Sequence, residues 1–319
     1  MTRAVFLDRD TLDHGDLDFR ALDSLCPGWA SYDRTPADRC AERIDGAEVV
    51  ITNKVVIDAP MIDACPSLGL INVVATGVDN IDVEAARAHG VLVCNCRAYG
   101  TEAVSQHAIG MMLALCTRLV DYVEAVRRGR WEQSPDFCFL DYPIRELAGQ
   151  TLLVIGYGTL GAAVEQKAEA LGMRVMIAER PGVMAPRAGR VRFEEGIAEA
   201  DIVTLHCPLT ATTRGMIDAA VLRRMKSTAL LINTARGALV DERALVEALR
   251  TGEIAGAGID GLSCEPPVAG NPLLAAGVPN LLVTPHSAWG SQRARQRIVD
   301  QTVENIRGWR EGEPRRNVN

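Results

Sequence analysis

The stretch Thr151-Leu-Leu-Val-Ile-Gly-Tyr-Gly-Thr-Leu-Gly161 constrains this chain more than any other. An apolar, partly β-branched run leads directly into a Gly-x-Gly-x-x-Gly turn, the pattern of a buried strand that enters a helix. In that pattern Gly156 permits the tight turn, Gly158 lets the backbone approach a pyrophosphate, and Gly161 lets the helix lie close on the strand. Free amides at the helix start, with the helix dipole behind them, attract phosphate. The run Met173-Arg-Val-Met-Ile-Ala-Glu179 then reads as a second strand, and Glu179 stands where a carboxylate accepts hydrogen bonds from a ribose diol. A glycine triplet alone says little, because turns and helix starts use glycine anyway. Strand, triplet, helix, second strand and terminal acid in this order point to a dinucleotide site.

On either side of the motif, apolar runs alternate with helical ones. Before it, residues 4–7, 47–52, 70–75 and 91–94 read as strands, with helices at 36–44, from Ala59 onward, and at 82–89. From the motif onward, strands are expected at 151–155, 174–178, 201–205, 229–232, 256–259 and 281–283. Helices are expected at 160–171, 193–199, 217–225 and 241–250, the last with Asp241 as its N-cap. Such alternation means parallel α/β sheets with right-handed crossovers. Between the two series, 101–128 reads as one long helix with an apolar face of Ala108, Ile109, Met112, Leu115 and Leu119. The irregular segment 131–144 carries Trp131, Phe137, Phe139 and Tyr142 and reads as an arm that covers another subunit. A final helix, 291–309, is expected to return to the first unit. A chain of 319 residues accommodates two such units.

Charge and composition exclude several classes. A formal net charge of −7 offers no basic face for nucleic acid. No apolar run reaches the roughly eighteen residues of a membrane helix, and the opening Met-Thr-Arg-Ala-Val-Phe-Leu-Asp lacks a signal peptide's apolar core. The expectation is a cytoplasmic protein that does not engage membranes. The cysteines, 9 in number, are scattered through apparent strands and helices, which fits free thiols better than a disulfide framework. Cys94-x-Cys96 is the close pair, but no second pair or histidine follows at zinc spacing. No metal is expected, and the pair reads as small buried side chains. Leu7-Asp8-Arg9-Asp10-Thr11-Leu12 is similar to the aspartate loop of haloacid-dehalogenase-type phosphatases. It lacks the glycine expected between Asp10 and Thr11, and no downstream acidic loop supplies further metal ligands. It reads as a solvated loop at a strand end.

Doubly wound sheets place ligands at the carboxyl ends of their strands, so the residues there are the ones to examine. They are His206-Cys-Pro208, Asn233-Thr-Ala-Arg236, Asp260 to Glu265, and Thr284-Pro-His286. Reducing a ketone with a nicotinamide needs an acid for the forming alkoxide and a cation for a negatively charged substrate. An imidazole gives and takes a proton near neutral pH, which makes His286 the best acid. Glu265 is suited to hold its second ring nitrogen, and Arg236 offers a forked donor to a carboxylate. His206 is a weaker candidate that lines the cofactor side, while His107 reads as a structural residue of the long helix. His89 and His14 carry no such context.

At these residues the sequence resembles the NAD-dependent D-isomer-specific 2-hydroxyacid dehydrogenases over almost its whole length. The matching blocks are Gly156-Tyr-Gly-Thr-Leu-Gly161, Asp201-Ile-Val-Thr-Leu-His-Cys-Pro-Leu-Thr210, Leu231-Ile-Asn-Thr-Ala-Arg-Gly237, Glu265-Pro-Pro267 and Thr284-Pro-His286. Ile51-Thr-Asn-Lys-Val55, Ala75-Thr-Gly-Val-Asp-Asn80, Phe137-Cys-Phe-Leu-Asp-Tyr-Pro143 and His286-Ser-Ala-Trp289 look most like the glycerate dehydrogenases, or hydroxypyruvate reductases, within that family. The resemblance implies two Rossmann-like, doubly wound parallel-sheet domains. A flavodoxin-like substrate domain, residues 1–98 and 290–319, would hold an inserted NAD-binding domain, residues 99–289. It implies that Arg236 binds the substrate's carboxylate and carbonyl, Glu265 supports the histidine, and His286 donates the proton. Cofactor contacts would come from Val104, Gly156, Gly158, Thr159, Leu160, Gly161, Glu179, His206, Cys207, Pro208, Thr212, Thr234, Ala235, Arg236, Asp260 and His286. Substrate contacts would add Asn53 and the backbone of Ala75, Thr76 and Gly77. The implied assembly is a homodimer joined through the cofactor domain and its aromatic arm.

Three departures from the family's pattern bear on this. Ser105-Gln106-His107 stands where many relatives have Ala-Glu-His or Pro-Glu-His, and Asp260-Gly261 replaces the usual Asp-Val, which is expected to loosen the loop. Glu179 replaces a commoner aspartate; its carboxylate repels the extra phosphate of NADP, while Arg180 beside it attracts that phosphate. A direct ribose acceptor outweighs a neighbouring cation, so NAD is favoured over NADP. The expected reaction is the reversible reduction of a small 2-keto acid, hydroxypyruvate or glyoxylate, to the D-2-hydroxy acid. The alternative is a binding protein on the same fold that senses NAD(H) without turnover, against which the absence of a basic face and of long disordered flanks speaks.

Overall fold

Short apolar runs, too short for helices, become the strands of two parallel sheets in the computed structural model, which describes residues 2–319. The chain forms two compact units, Met1–Gly100 with Gly290–Asn319, and Thr101–Trp289.

In the first unit, β1 (Ala4–Phe6) leads through a 3₁₀ turn, Arg9–Thr11, to α1 (Arg20–Leu25), β2 (Ala30–Ser31), α2 (Ala37–Ile44) and β3 (Val49–Thr52). Then follow α3 (Ala59–Asp63), β4 (Leu70–Val73), α4 (Val83–Ala88) and β5 (Leu92–Cys94). The strand order is β2-β1-β3-β4-β5, all parallel, the flavodoxin-like order. Every residue of β3 and β4 is buried, which requires helices on both faces. Aspartates start two of those helices: Asp58 accepts from Met61 N–H and Asp82 from Ala85 N–H.

The second unit opens with α5 (Thr101–Cys116) and α6 (Leu119–Arg127), followed by β6 (Thr151–Ile155), α7 (Thr159–Ala170), β7 (Arg174–Ile177), α8 (Phe193–Glu199) and β8 (Ile202–Leu205). It continues with α9 (Ala219–Leu222), β9 (Leu230–Asn233), α10 (Glu242–Thr251), β10 (Gly256–Asp260) and β11 (Leu281–Thr284). The order is β11-β10-β9-β8-β6-β7, again all parallel. Beyond β7 a single residue, Val191, bridges Ala178 in parallel and holds the place of a shrunken outer strand. With it the unit shows the Rossmann order, whose direction of growth reverses between β6 and β8. One face packs α8 and α10 onto Leu153, Leu205, Leu231 and Ile259. The other packs α5 and α7 onto Leu152, Val154, Ile202 and Ile232.

The chain ends in α11 (Gln292–Glu311), which packs on β4 of the first unit. The contact is polar at its centre. Asn305 donates to Asn72 Oδ1 at 2.7 Å and to Asn95 O at 3.0 Å, and Asn72 donates to Thr302 Oγ1 at 3.0 Å. All three side chains are fully or nearly fully buried, so these bonds replace the water each would lose.

Several sequence expectations are corrected. The helix expected over 101–128 is two helices, because Arg118 takes a left-handed φ of 52° that breaks the ladder of hydrogen bonds. Its guanidinium ties down the break, donating to Asp121 at 2.6 Å and lying over the Tyr142 ring. The helix expected at 217–225 shrinks to α9, since Ile217 pairs with Val240 as an isolated bridge. Helix α1, the two-residue strand β2 and the 3₁₀ turns have no counterpart among the sequence expectations.

Candidate functional site

The glycine turn sits where the growth of the second sheet reverses. Gly156 adopts φ 93°, and a side chain there would collide with the backbone of His206 and Cys207 at the end of β8. A side chain at Gly161 would strike the carbonyl of Gly156 and Val154, so the helix start stays close to its strand. Gly158 differs: it is exposed, nothing lies within 4 Å of where its Cβ would be, and it begins α7 without any side-chain cap. The turn therefore offers uncapped amides at an open helix start, the arrangement that holds a pyrophosphate. Two polar atoms at neighbouring strand ends, His206 Nδ1 and Thr234 Oγ1, are buried without a partner among the described residues. An open phosphate cradle flanked by unsatisfied polar atoms fits a dinucleotide. Val104, Cys207 and Ala235 are buried or half-buried around this edge, while Thr159, Pro208 and Thr212 are exposed and Leu160 half-buried.

Glu179 is at the expected strand end but is not free. It is 4% exposed, and both carboxylate oxygens receive Arg187, each at 2.6 Å, with the Arg180 amide adding a bond at 3.0 Å. That grip holds its carboxyl far below the usual carboxylate range, the Arg187 hydrogen bonds being the largest cause. The sequence places Arg180 beside Glu179, yet the guanidinium bonded to the acid is that of Arg187, folded back from the following loop.

Three further strand ends carry the candidate catalytic side chains. After β11, His286 takes a left-handed φ of 52°, and its Nδ1 meets Glu265 Oε2 at 2.7 Å. The other oxygen of Glu265 accepts the Leu262 amide at 2.7 Å, which fixes the carboxylate toward the ring. Both side chains remain about one-third exposed, so the pair is reached from solvent. After β9, Arg236 is exposed on a turn that buried Asn233 holds from both sides, donating to Arg236 O at 2.8 Å and accepting Ala235 N–H at 3.0 Å. The following Gly237 packs directly on the Leu262–Ser263 backbone, which sets the Arg236 turn against the Glu265 loop. Glu242, at the start of α10, anchors that loop by accepting from the Ser263 amide and hydroxyl, each at 2.7 Å. Sequence reasoning assigns no role to Asn233 or Glu242. Glu242 joins segments 21 residues apart, a separation that leaves no periodic trace, while Asn233 closes its own turn through bonds two and three residues away.

Gly261 overturns one expectation. Rather than loosening the loop, it makes the acid–imidazole contact fit. Its φ is 103°, and a Cβ there would lie 2.6 Å from Glu265 Oε1 and 3.3 Å from His286 Nδ1. Gly261→Val is expected to lower kcat by at least roughly tenfold through displacement of the pair, a shift worth about 1.4 kcal/mol or more. Steady-state kinetics beside an unchanged nucleotide affinity check this, and wild-type turnover in the variant refutes it.

His206 supplies a pH prediction. Its Nε2 meets Thr204 Oγ1 at 2.9 Å, and burial pulls the imidazole down from 6.5 to about 4. The folded protein keeps the ring neutral, whereas the unfolded chain binds a proton below its ordinary pKa. Stability from this residue is therefore present above pH 6.5 and is lost as the pH falls toward 4. The loss is on the order of 3 kcal/mol from the pKa difference. Thermal melting of the nucleotide-free protein should fall more steeply over this window than that of His206→Gln, and parallel curves would contradict it.

In the first unit, the side chain of Asn53 is buried and donates to Thr11 Oγ1 at 3.0 Å, so it faces the turn that follows β1. The turn at Ala75, Thr76 and Gly77 is pinned to the end of β5: Cys96 N–H donates to Ala75 O, and Asn95 Nδ2 donates to Thr76 O at 2.7 Å. The Leu7–Leu12 stretch is not the solvated loop expected of it. Asp8 is 4% exposed and accepts the amides of Asn53 at 2.9 Å and Lys54 at 2.7 Å, and burial raises its carboxyl above the ordinary value. Cys94 and Cys96 are fully buried thiols, pushed up by desolvation to about 11 and about 12.

Comparison with known proteins agrees with this geometry. The family model described as the D-isomer specific 2-hydroxyacid dehydrogenase, NAD binding domain, matches residues 109–288. The chain is similar to the glycerate dehydrogenase of Methylorubrum extorquens, 44% identical over 313 residues that cover 98% of this chain and 97% of the other. A solved protein of Thermus thermophilus superposes with a TM-score of 0.86 at 36% identity, over 100% of both chains. The NADPH-dependent glyoxylate/hydroxypyruvate reductase of Sinorhizobium meliloti, solved with citrate, gives a TM-score of 0.82 at 29% identity over 100% of this chain and 98% of the other.

Proposed function

The chain belongs to the D-isomer specific 2-hydroxyacid dehydrogenase family, and we propose that this member reduces hydroxypyruvate or glyoxylate to the corresponding D-2-hydroxy acid with NADH, reversibly. The observation that carries the reading is the 2.7 Å contact of His286 with Glu265, beside the Arg236 turn, on the sheet that bears the glycine cradle. When bound, the reduced nicotinamide supplies a hydride to the carbonyl carbon. His286 Nε2 gives its proton to the carbonyl oxygen. Glu265, held at Nδ1, stabilises the ring while it is charged and keeps Nε2 directed outward. Arg236 pairs its forked guanidinium with the substrate carboxylate and polarises the carbonyl. Asn53, Ala75, Thr76 and Gly77 belong to the same assignment as substrate contacts. The residues around the glycine turn, with Glu179, His206, Thr234 and Asp260, hold the cofactor, and the carboxylate of Glu179 favours NAD over NADP.

Loss of NADH and of NADPH absorbance across a panel of hydroxypyruvate, glyoxylate, pyruvate and bulkier keto acids tests this directly. The expected result is fastest turnover of NADH with hydroxypyruvate or glyoxylate. Tight NADH binding with no turnover of any keto acid would instead establish the sensing role.

The same reading includes a homodimer in the cytoplasm. On α6, Leu119, Val120, Val123 and Val126 are each about 40–55% exposed, and the segment 131–144 adds Trp131 at 53%, Phe137 at 89% and Leu140 at 75%. This is a contiguous run of apolar side chains that a monomer leaves in water. Part of the segment is already anchored, with Tyr122 packing on Phe139 and Tyr142, so the exposed residues stand on a fixed support. All the cysteines are unpaired thiols, in keeping with a reducing compartment. Phe137→Asp with Leu140→Asp is expected to yield a folded monomer by light scattering, and a persisting dimer would remove this surface from the interface.

A further inference from the structure

His286 is held in a conformation that a non-glycine residue rarely adopts, and its surroundings must over-determine it. The restraints act on the backbone at His286 and just after it. His286 N–H donates to Thr284 O at 2.9 Å, while Ser287 N–H and Ala288 N–H donate to Asp260 Oδ1 at 2.8 Å and Oδ2 at 3.0 Å. Asp260, only 2% exposed, is in turn oriented by the Thr284 hydroxyl, which donates to Oδ1 at 2.7 Å. That hydroxyl has one further contact, His107 Nε2 at 3.1 Å. A hydroxyl carries one proton, and here it is spent on the aspartate; its oxygen can only accept from His107. The direction of the whole chain follows: His107 Nε2–H to Thr284 Oγ1, Thr284 O–H to Asp260, and the amides that follow His286 to the same carboxylate. His107 is therefore fixed with a hydrogen on Nε2, and it lies on α5, packed against β10.

We propose that His107 is a positioning residue for the proton donor: through Thr284 and Asp260 it holds the turn that carries His286. The proposal rests on the assignment of His286 as the acid. A helix histidine that merely fills space requires no particular hydrogen at Nε2, whereas this role requires a donor there.

His107→Leu removes the donor, and His107→Gln returns an N–H at about the same distance from the helix. The leucine variant is expected to lower kcat roughly three- to tenfold, as the loss of one part-buried hydrogen bond allows. KM for the keto acid and the dissociation constant of NADH should stay within about twofold, and the glutamine variant should recover most of the loss. Thr284→Val should lower kcat similarly, and adding His107→Leu to it should cost little more, because both break one chain. Wild-type kcat in His107→Leu, equal impairment in the glutamine variant, or additive losses in the double variant would each overturn the proposal. A second readout does not depend on turnover. With 5 histidines in the chain, the ring C2–H resonance of His286 can be assigned by its disappearance in His286→Ala. In His107→Leu that resonance should shift or broaden, and in His107→Gln it should return. If the wild-type protein reduces no keto acid but the resonance responds, the positioning holds and the proposed reaction fails. An active wild type with an unresponsive resonance means that the reaction holds and the positioning fails.

Discussion

Replacing His286 with alanine is expected to lower turnover by roughly two to four orders of magnitude, the usual contribution of a general acid–base side chain. NADH affinity should stay nearly unchanged. The glycine turn lies at the ends of β6 and β8, and none of the hydrogen bonds that build it uses the His286 ring. Histidine tolerates φ 52° only several-fold better than alanine, so the variant adds less than about 1 kcal/mol of backbone cost there. Folding is thus expected to survive, and the comparison is clean: kinetics against nucleotide binding by fluorescence. A companion variant, Glu265→Gln, should lose less, because the amide still meets Nδ1 while the charge that stabilises the protonated ring is gone. Turnover of His286→Ala within tenfold of wild type would remove the histidine from the reaction.

Arg236→Gln is expected to lower kcat/KM by about a hundred- to a thousandfold, the cost of losing a charge-assisted, two-pronged bond to a carboxylate. Most of that loss should appear as a raised KM, with a smaller fall in kcat from the lost polarisation of the carbonyl. Arg236→Lys should restore little, because a point charge on a flexible stem does not reproduce the planar fork. The turn itself should be undisturbed: Asn233 grips the backbone of Arg236 and Ala235, and among the described residues the guanidinium donates only to Ala235 O, at 2.8 Å. Steady-state kinetics with hydroxypyruvate and glyoxylate decide it. An unchanged KM in the glutamine variant would place the substrate carboxylate elsewhere.

The sequence made some parts of this molecule plain and hid others, for identifiable reasons. Strand β6 and helix α8 match the expected bounds residue for residue, 151–155 and 193–199, because each is a patterned run that stops where the next apolar run or glycine turn begins. The break between α5 and α6 was invisible, since Thr117 and Arg118 are ordinary helix residues and only the left-handed backbone of Arg118 ends the ladder. The edge strand β2 has two residues and no alternation to detect. At the site, Arg236, Glu265 and His286 were legible because each follows a strand of a sheet already recognised from its glycine turn. What supports them was not: Asn233, Glu242 and His107 act through individual hydrogen bonds. Glu179 shows the same limit. Its neighbour in sequence is Arg180, but its partner in space is Arg187, reached by a loop whose course no local pattern encodes.

The division of the first unit between the two ends of the chain has a consequence for its birth on the ribosome. Thr101–Trp289 is one uninterrupted segment and can complete its sheet as soon as it emerges. The first hundred residues cannot: Asn72, fully buried on β4, finds its side-chain partners Thr302 and Asn305 only in the last helix to be made. At the usual pace of synthesis the gap lasts on the order of ten to forty seconds. During that interval the face of the sheet that α11 covers lacks its helix, open to chaperones and to misassembly. The unit begun first is finished last.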